Sequence, residues 1–172
     1  MTDKTTIYTA AFPGQRVSVD TPVSFDEVLK RLRQQMGQVA VAQVIELALG
    51  PISREDYIKE VEARYVGSSG FMLFAEIDHG GWLSKFDIHR RTVRWILGNP
   101  LIAVTMIRHD ITAGLFAPVE ILVTEHEQGS GTNVTYIQPS SLMVTGPNPP
   151  LEAAATDLDV KLDALVANAT AV

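Results

Sequence analysis

Gly67-Ser68-Ser69-Gly70-Phe71-Met72-Leu73-Phe74-Ala75-Glu76-Ile77-Asp78 is where the hydrophobic period of the chain changes. Before the glycine–serine turn, apolar residues recur at helical spacing. After it they alternate. Alternation over Phe71 to Asp78 predicts a strand with Phe71, Leu73, Ala75 and Ile77 on one face, because successive strand side chains point to opposite sides. The same period continues downstream. Val93, Trp95 and Leu97 mark a second strand, ended by Gly98-Asn99-Pro100, and Val119, Ile121 and Val123 mark a third. Val134 and Tyr136 mark a fourth, joined to the third through Gln128-Gly129-Ser130-Gly131 as a hairpin loop. Leu101 to His109, between two of these strands, is expected to form a short helix packed among them.

Upstream, Arg16 to Asp20 alternates Val17 and Val19 with polar residues and predicts a short strand. Ser24-Phe25-Asp26-Glu27 then has the form of a capping box, in which the Ser24 hydroxyl accepts an orphan amide and Glu27 reaches back. Val23 and Val28 sit at the staple positions. Phe25, Val28, Leu29, Leu32 and Met36 make the apolar stripe of the helix, and Gly37 suits its C-terminus. Val39 to Leu49 is expected as a helix stopped by Gly50-Pro51. A further N-cap at Ser53 precedes a stripe of Tyr57, Ile58, Val61 and Tyr65. Gly146-Pro147-Asn148-Pro149-Pro150 leads into a closing helix with Leu151, Ala155, Leu158, Leu162 and Leu165 inward. Strands in succession with helices at both ends predict an α+β fold, an antiparallel sheet with helices on one face.

The chain has 172 residues, enough for one domain spanning all of them. It has no cysteine, which excludes a disulfide framework, a thiolate metal site and a cysteine nucleophile. The net charge of −6 argues against nucleic acid and against anionic membrane as partners. No apolar run approaches the roughly 20 residues of a membrane span. No signal peptide is expected behind Met1-Thr2-Asp3-Lys4, and the expected location is cytoplasmic.

Four pieces, in order, resemble the family called domain of unknown function 302. They are Phe74-Ala75-Glu76-Ile77-Asp78-His79, Ile96-Leu97-Gly98-Asn99-Pro100, the strand entry Ala117-Pro118-Val119-Glu120-Ile121-Leu122-Val123, and Val134-Thr135-Tyr136 with Pro139 following. The resemblance covers about residues 71–142 together with the capped helix at 24–36. It implies a TBP-like α+β domain of β-α-β4-α order, to which this chain adds a helical insertion at about 38–68. Ala117 stands where the family usually has leucine, and Ile137-Gln138 replaces its usual polar turn. The family brings no established catalytic residues.

The candidate functional residues fall into two groups. Asp78-His79, before Gly80-Gly81, offers a carboxylate and an imidazole for proton transfer, with Glu76 on the face of Asp78. Arg90, Arg91 and Arg94, with Lys85 nearby and Trp82 and Trp95 flanking, could seat an anion. Trp82 and Asn99 are added as ligand-binding candidates. Structural alternatives exist for both groups: polar side chains bonding a turn, and basic residues pairing with Glu152, Asp157, Asp159 and Asp163 of the last helix. His79, His89, His109 and His126 have no metal-ligand spacing, so no metal is expected. There is neither a Gly-x-Ser-x-Gly elbow nor a Gly-Lys-Ser/Thr phosphate loop, and no cofactor is expected.

The leading expectation is a domain that binds a small, partly apolar or anionic ligand between sheet and helix. An enzyme using His79 with Asp78 or Glu76 is the second, and a homo-oligomeric interaction module is the third. A homodimer is expected because Thr132 to Gln138 and Val17 to Val19 look like undefended sheet edges. In addition, Val39 to Leu49 is more apolar than one solvent-facing helix should be.

Overall fold

The computed structural model describes residues 5–127 and 129–172. The opening Met1-Thr2-Asp3-Lys4 and Gln128 of the expected hairpin loop lie outside the described residues. Six strands, β1 (Arg16–Thr21), β2 (Gly37–Gln38), β3 (Met72–Asp78), β4 (Thr92–Gly98), β5 (Val119–Glu125) and β6 (Thr132–Ile137), form one sheet in the order β1-β6-β5-β4-β3-β2. Every pairing is antiparallel except β2 with β3. The helices are α1 (Phe25–Gln35), α2 (Val41–Leu49), α3 (Arg54–Arg64), α4 (His79–Leu83), α5 (Pro100–Ile107), α6 (Pro139–Met143) and α7 (Pro149–Thr170). A 3-10 segment spans Ile111–Phe116. The α+β architecture is the one expected. The short α4 and α6 were not legible.

Two cross-strand rows define the covered face. Val17, Tyr136, Ile121, Trp95 and Glu76 lie side by side, as do Val19, Val134, Val123, Val93 and Asp78. The apolar members of both rows pack under α1 and α7, which contribute Phe25, Val28, Leu29, Leu32, Leu151, Leu158, Leu162 and Leu165. Trp95 is fully buried here with Val93 and Leu97, as the alternation predicts. The Arg33 guanidinium lies 4.9 Å from the centre of its indole ring. A smaller core of Val39, Val44, Val61 and Met72 joins α2 and α3 to the edge of the sheet.

The alternation fails at one place. A bulge between Leu73 and Ala75 shifts the register of β3 against β4. An extra residue reverses which side later side chains face. Phe71 and Leu73 reach the main core, but Ile77 pairs with Arg94 on the opposite, open face. Glu76 and Asp78 take the helix-covered side in its place.

Three local expectations change. Ser24 caps α1 by accepting from the Glu27 amide at 3.4 Å, but the Glu27 carboxylate turns to Lys30 and Arg31 and leaves the capping box half made. Gly37 does not end α1 in a left-handed turn. It joins β2, where its amide donates to the Phe71 carbonyl at 2.9 Å, and a β-carbon there would meet the Tyr65 carbonyl oxygen at 1.6 Å. Thr132 to Gln138 is no edge: β6 runs between β1 and β5.

Candidate functional site

The structure distributes the eight candidate residues among three places. Glu76, Asp78, Arg90 and Arg91 line a polar groove of about 580 Å³ between α1 and the ends of β3 and β4. His79, Trp82 and Arg94 line a groove of about 510 Å³ where α4 leans over the open face. Asn99 lines an apolar cavity of about 220 Å³.

In the polar groove the charges are already paired. Arg91 makes two bonds to the Asp26 carboxylate and stacks 4.3 Å from the centre of the Phe25 ring. The hydrogen bonds from Arg91 hold the Asp26 carboxyl below its ordinary value, and those to Asp26 raise Arg91. Arg33 binds Glu76, and Arg90 donates to the Glu125 carbonyl at 2.7 Å with Glu127 3.7 Å away. Asp78 caps α4 by accepting from the Gly81 amide at 3.0 Å. The basic segment therefore pairs with Asp26, Glu120, Glu125 and Glu127, not with the last helix. Two acids of that helix have other partners. Buried Asp159 accepts from Gln138 at 3.0 Å and from the Ser140 amide at 2.9 Å, and Asp163 accepts from the Tyr136 hydroxyl. Burial and that carboxylate together push the Tyr136 phenol well above its ordinary range.

His79 stands apart from both carboxylates. Its Nδ1 accepts from the Trp82 indole at 3.3 Å, which leaves Nε2 to carry the ring proton in the neutral form. Arg94, beside it, is bound to Glu120. No cluster of three His, Cys, Asp or Glu side chains suited to a metal ion occurs among the described residues.

The cavity is of a different kind. Val41, Val44 and Ile45 of α2 form one wall, Ile102, Ala103 and Met106 of α5 another, and Phe74 with Ala117 to Val119 close the rest. Asn99 is the only polar side chain in the lining, and it is spoken for. Its Oδ1 accepts from the Leu101 amide at 2.8 Å, capping α5, and its Nδ2 donates to the Gly70 carbonyl at 2.9 Å. Gly98 lets Phe74 and Pro118 approach across the wall, since a β-carbon there would lie 3.0 Å from the Phe74 ring. Gly-Asn-Pro is visible in sequence as a helix start. The apolar character of α2 was visible too, but that the two helices face each other was not.

The fold is α+β, and the comparisons place it. A family model described as domain of unknown function DUF302 matches residues 45–169, from within α2 through most of α7. The chain belongs to that family. It is similar in fold to an uncharacterised conserved DUF302 protein from Bacillus stearothermophilus, whose crystal structure superposes with a TM-score of 0.60 at 17% identity. The alignment covers 90% of this chain and 97% of that one. No curated protein matches the sequence. Among the described residues no helix is long and apolar enough to cross a membrane.

Proposed function

We propose that this domain binds a small, uncharged, apolar molecule in the cavity between α2, α5 and the sheet. One observation carries the reading: about 220 Å³ lined by apolar side chains and open to solvent on one side, with Asn99 as the sole polar one. Small-molecule sites are typically concave and mostly apolar with a few polar groups. An apolar cavity of roughly 150 Å³ suffices for benzene or xenon, so this one suits a fused bicyclic ring or a short alkyl segment, with any further ring left at its open mouth. The walls select by exclusion. A charged group entering would lose its water and find neither counter-charge nor side-chain partner, at a cost of several kcal/mol or more. The arginines of the polar groove, engaged as they are, give an anion less to bind than the sequence suggested.

The test is titration with N-phenyl-1-naphthylamine, a neutral fluorescent probe, against the parent chain and an Ala103→Phe variant. Saturable binding to the parent with at least tenfold weaker binding to the variant is expected. Equal binding to both, with the variant folded by circular dichroism, would place the probe elsewhere.

A further inference from the structure

We infer that the cavity end of the sheet is an interface between two copies of this chain, and that the second copy covers the cavity mouth. The second half of that statement rests on the ligand reading above; the first does not. Val41, Ile45 and Leu49 of α2, Val104 of α5, and Ile111 and Leu115 of the 3-10 segment are between 40% and 83% exposed. They lie on elements that meet at this end of the sheet. Val41 and Ile45 share the cavity with Ala103, the neighbour of Val104, and the Gly114 position abuts Ile107 of α5. Scaled by these exposures, the six aliphatic side chains present on the order of 500 Å² of apolar surface. That lies at the upper end of the ~300–600 Å² of the largest patch on a typical monomer and is more than half of the ~800 Å² that each partner gives a standard interface.

Charge selects the occupant. The chain carries −6 overall, so two copies repel wherever their acidic surfaces face. Here they would not. α5 and the 3-10 segment contain no charged residue, and α2 contains only Glu46. Between α5 and the 3-10 segment stand Arg108 and Asp110, opposite in sign. A two-fold axis through the band sets each surface against itself, so residue i of one copy meets j of the other and j meets i. Opposite charges placed this way allow Arg108 of one copy to approach Asp110 of the next. Val41 and Ile45 belong both to the band and to the cavity wall, so a molecule docked on the band shields the opening.

The experiment is sedimentation velocity from 1 to 200 µM, with probe titration alongside, on the parent and on the double variant Val104→Glu, Leu115→Glu. Both substitutions lie on exposed side chains outside the cavity lining. Expected is a parent species of twice the 18.8 kDa chain mass, a monomeric double variant with native circular dichroism, and at least fivefold weaker probe binding in that variant. A parent that stays monomeric at 200 µM, or a dimer that survives both substitutions, overturns the interface. Co-sedimentation of a monomeric parent with neutral phosphatidylcholine vesicles overturns it in favour of a lipid surface. A monomeric variant with unchanged probe affinity overturns the covering role. A parent dimer that binds no probe refutes the ligand reading while the interface stands.

Discussion

The two ends of the sheet are built from different chemistry. At one end, where β3, β5 and β1 finish, the strand ends, the start of α1 and the connections carry Asp20, Asp26, Asp78, Arg90, Arg91, Glu125 and Glu127, and they are tied by Arg91 to Asp26, Arg90 to Glu127 and His126 to Asp20. At the other, where β4 and β6 finish, α5, the 3-10 segment and α6 carry no charge. They are held by Asn99, Asp110 and buried apolar side chains instead. The charged end holds residues of the types that usually attract functional attention, yet its pairs are exposed and satisfied one by another. The uncharged end has the apolar pocket. A concentration of ionisable groups is thus a poor guide to the cavity in this fold, since exposed ion pairs are worth little and tend to be structural.

Five substitutions sharpen that contrast. The largest effect belongs to neither end. Trp95→Ala, at the centre of the covered face, should cost roughly 3–5 kcal/mol in chemical denaturation. A variant unfolding at the parent's midpoint would mean Trp95 is not in the core. Trp95→Phe should cost clearly less, because the buried indole Nε1–H has no acceptor among the described residues and none is lost with it.

At the uncharged end, Asn99→Ala removes the cap of α5 and strands the Gly70 carbonyl. A loss of about 2 kcal/mol is expected, more than for an exposed cap. Ser24→Ala, at the charged end, loses an exposed cap and should cost about 1 kcal/mol. Equal costs for the two would show that the buried cap at Asn99 is worth no more than the exposed one at Ser24.

Smallest is Asp26→Asn, read as the pH dependence of stability. Pairing with Arg91 holds the Asp26 carboxyl below its ordinary value of 3.8, so the native state favours the ionised form. That contribution is complete above pH about 4 and is lost as pH falls through the lowered value. The variant should show a shallower loss of stability in that acid range, and little change at pH 7, because the carboxylate is exposed. A parent and variant with the same acid slope would show the pair to be worth nothing.

The strands other than β2, with the capped α1, α2, α3, α5 and α7, follow from periodicity and punctuation, and the strand end before α5 follows from Gly98-Asn99-Pro100; β2, two residues long at Gly37–Gln38, is too short to carry a period. The face of Ile77 does not, because a bulge adds one residue without changing composition, and strict alternation is blind to it. The division of Asp78 from His79 was half legible. Adjacent strand residues diverge, but that α4 begins at His79 and turns the imidazole onto Trp82 depends on a five-residue helix too short to carry a stripe. The cavity was least legible. Its walls come from α2, α5, β3 and the segment 117–119, apolar in each case, and an apolar side chain lining a void has the same sequence signature as one filling it.

The central claim is that the apolar cavity, and not either groove, receives a ligand. Methyl NMR of the chain with saturating N-phenyl-1-naphthylamine tests it most directly. The predicted result is chemical-shift change concentrated at Val44, Ile45, Ile102 and Met106, with Leu29 and Val93 beside the polar groove and Leu83 and Leu122 beside the open-face groove unmoved. Shifts centred on either of those groove pairs, with the cavity methyls silent, would contradict it.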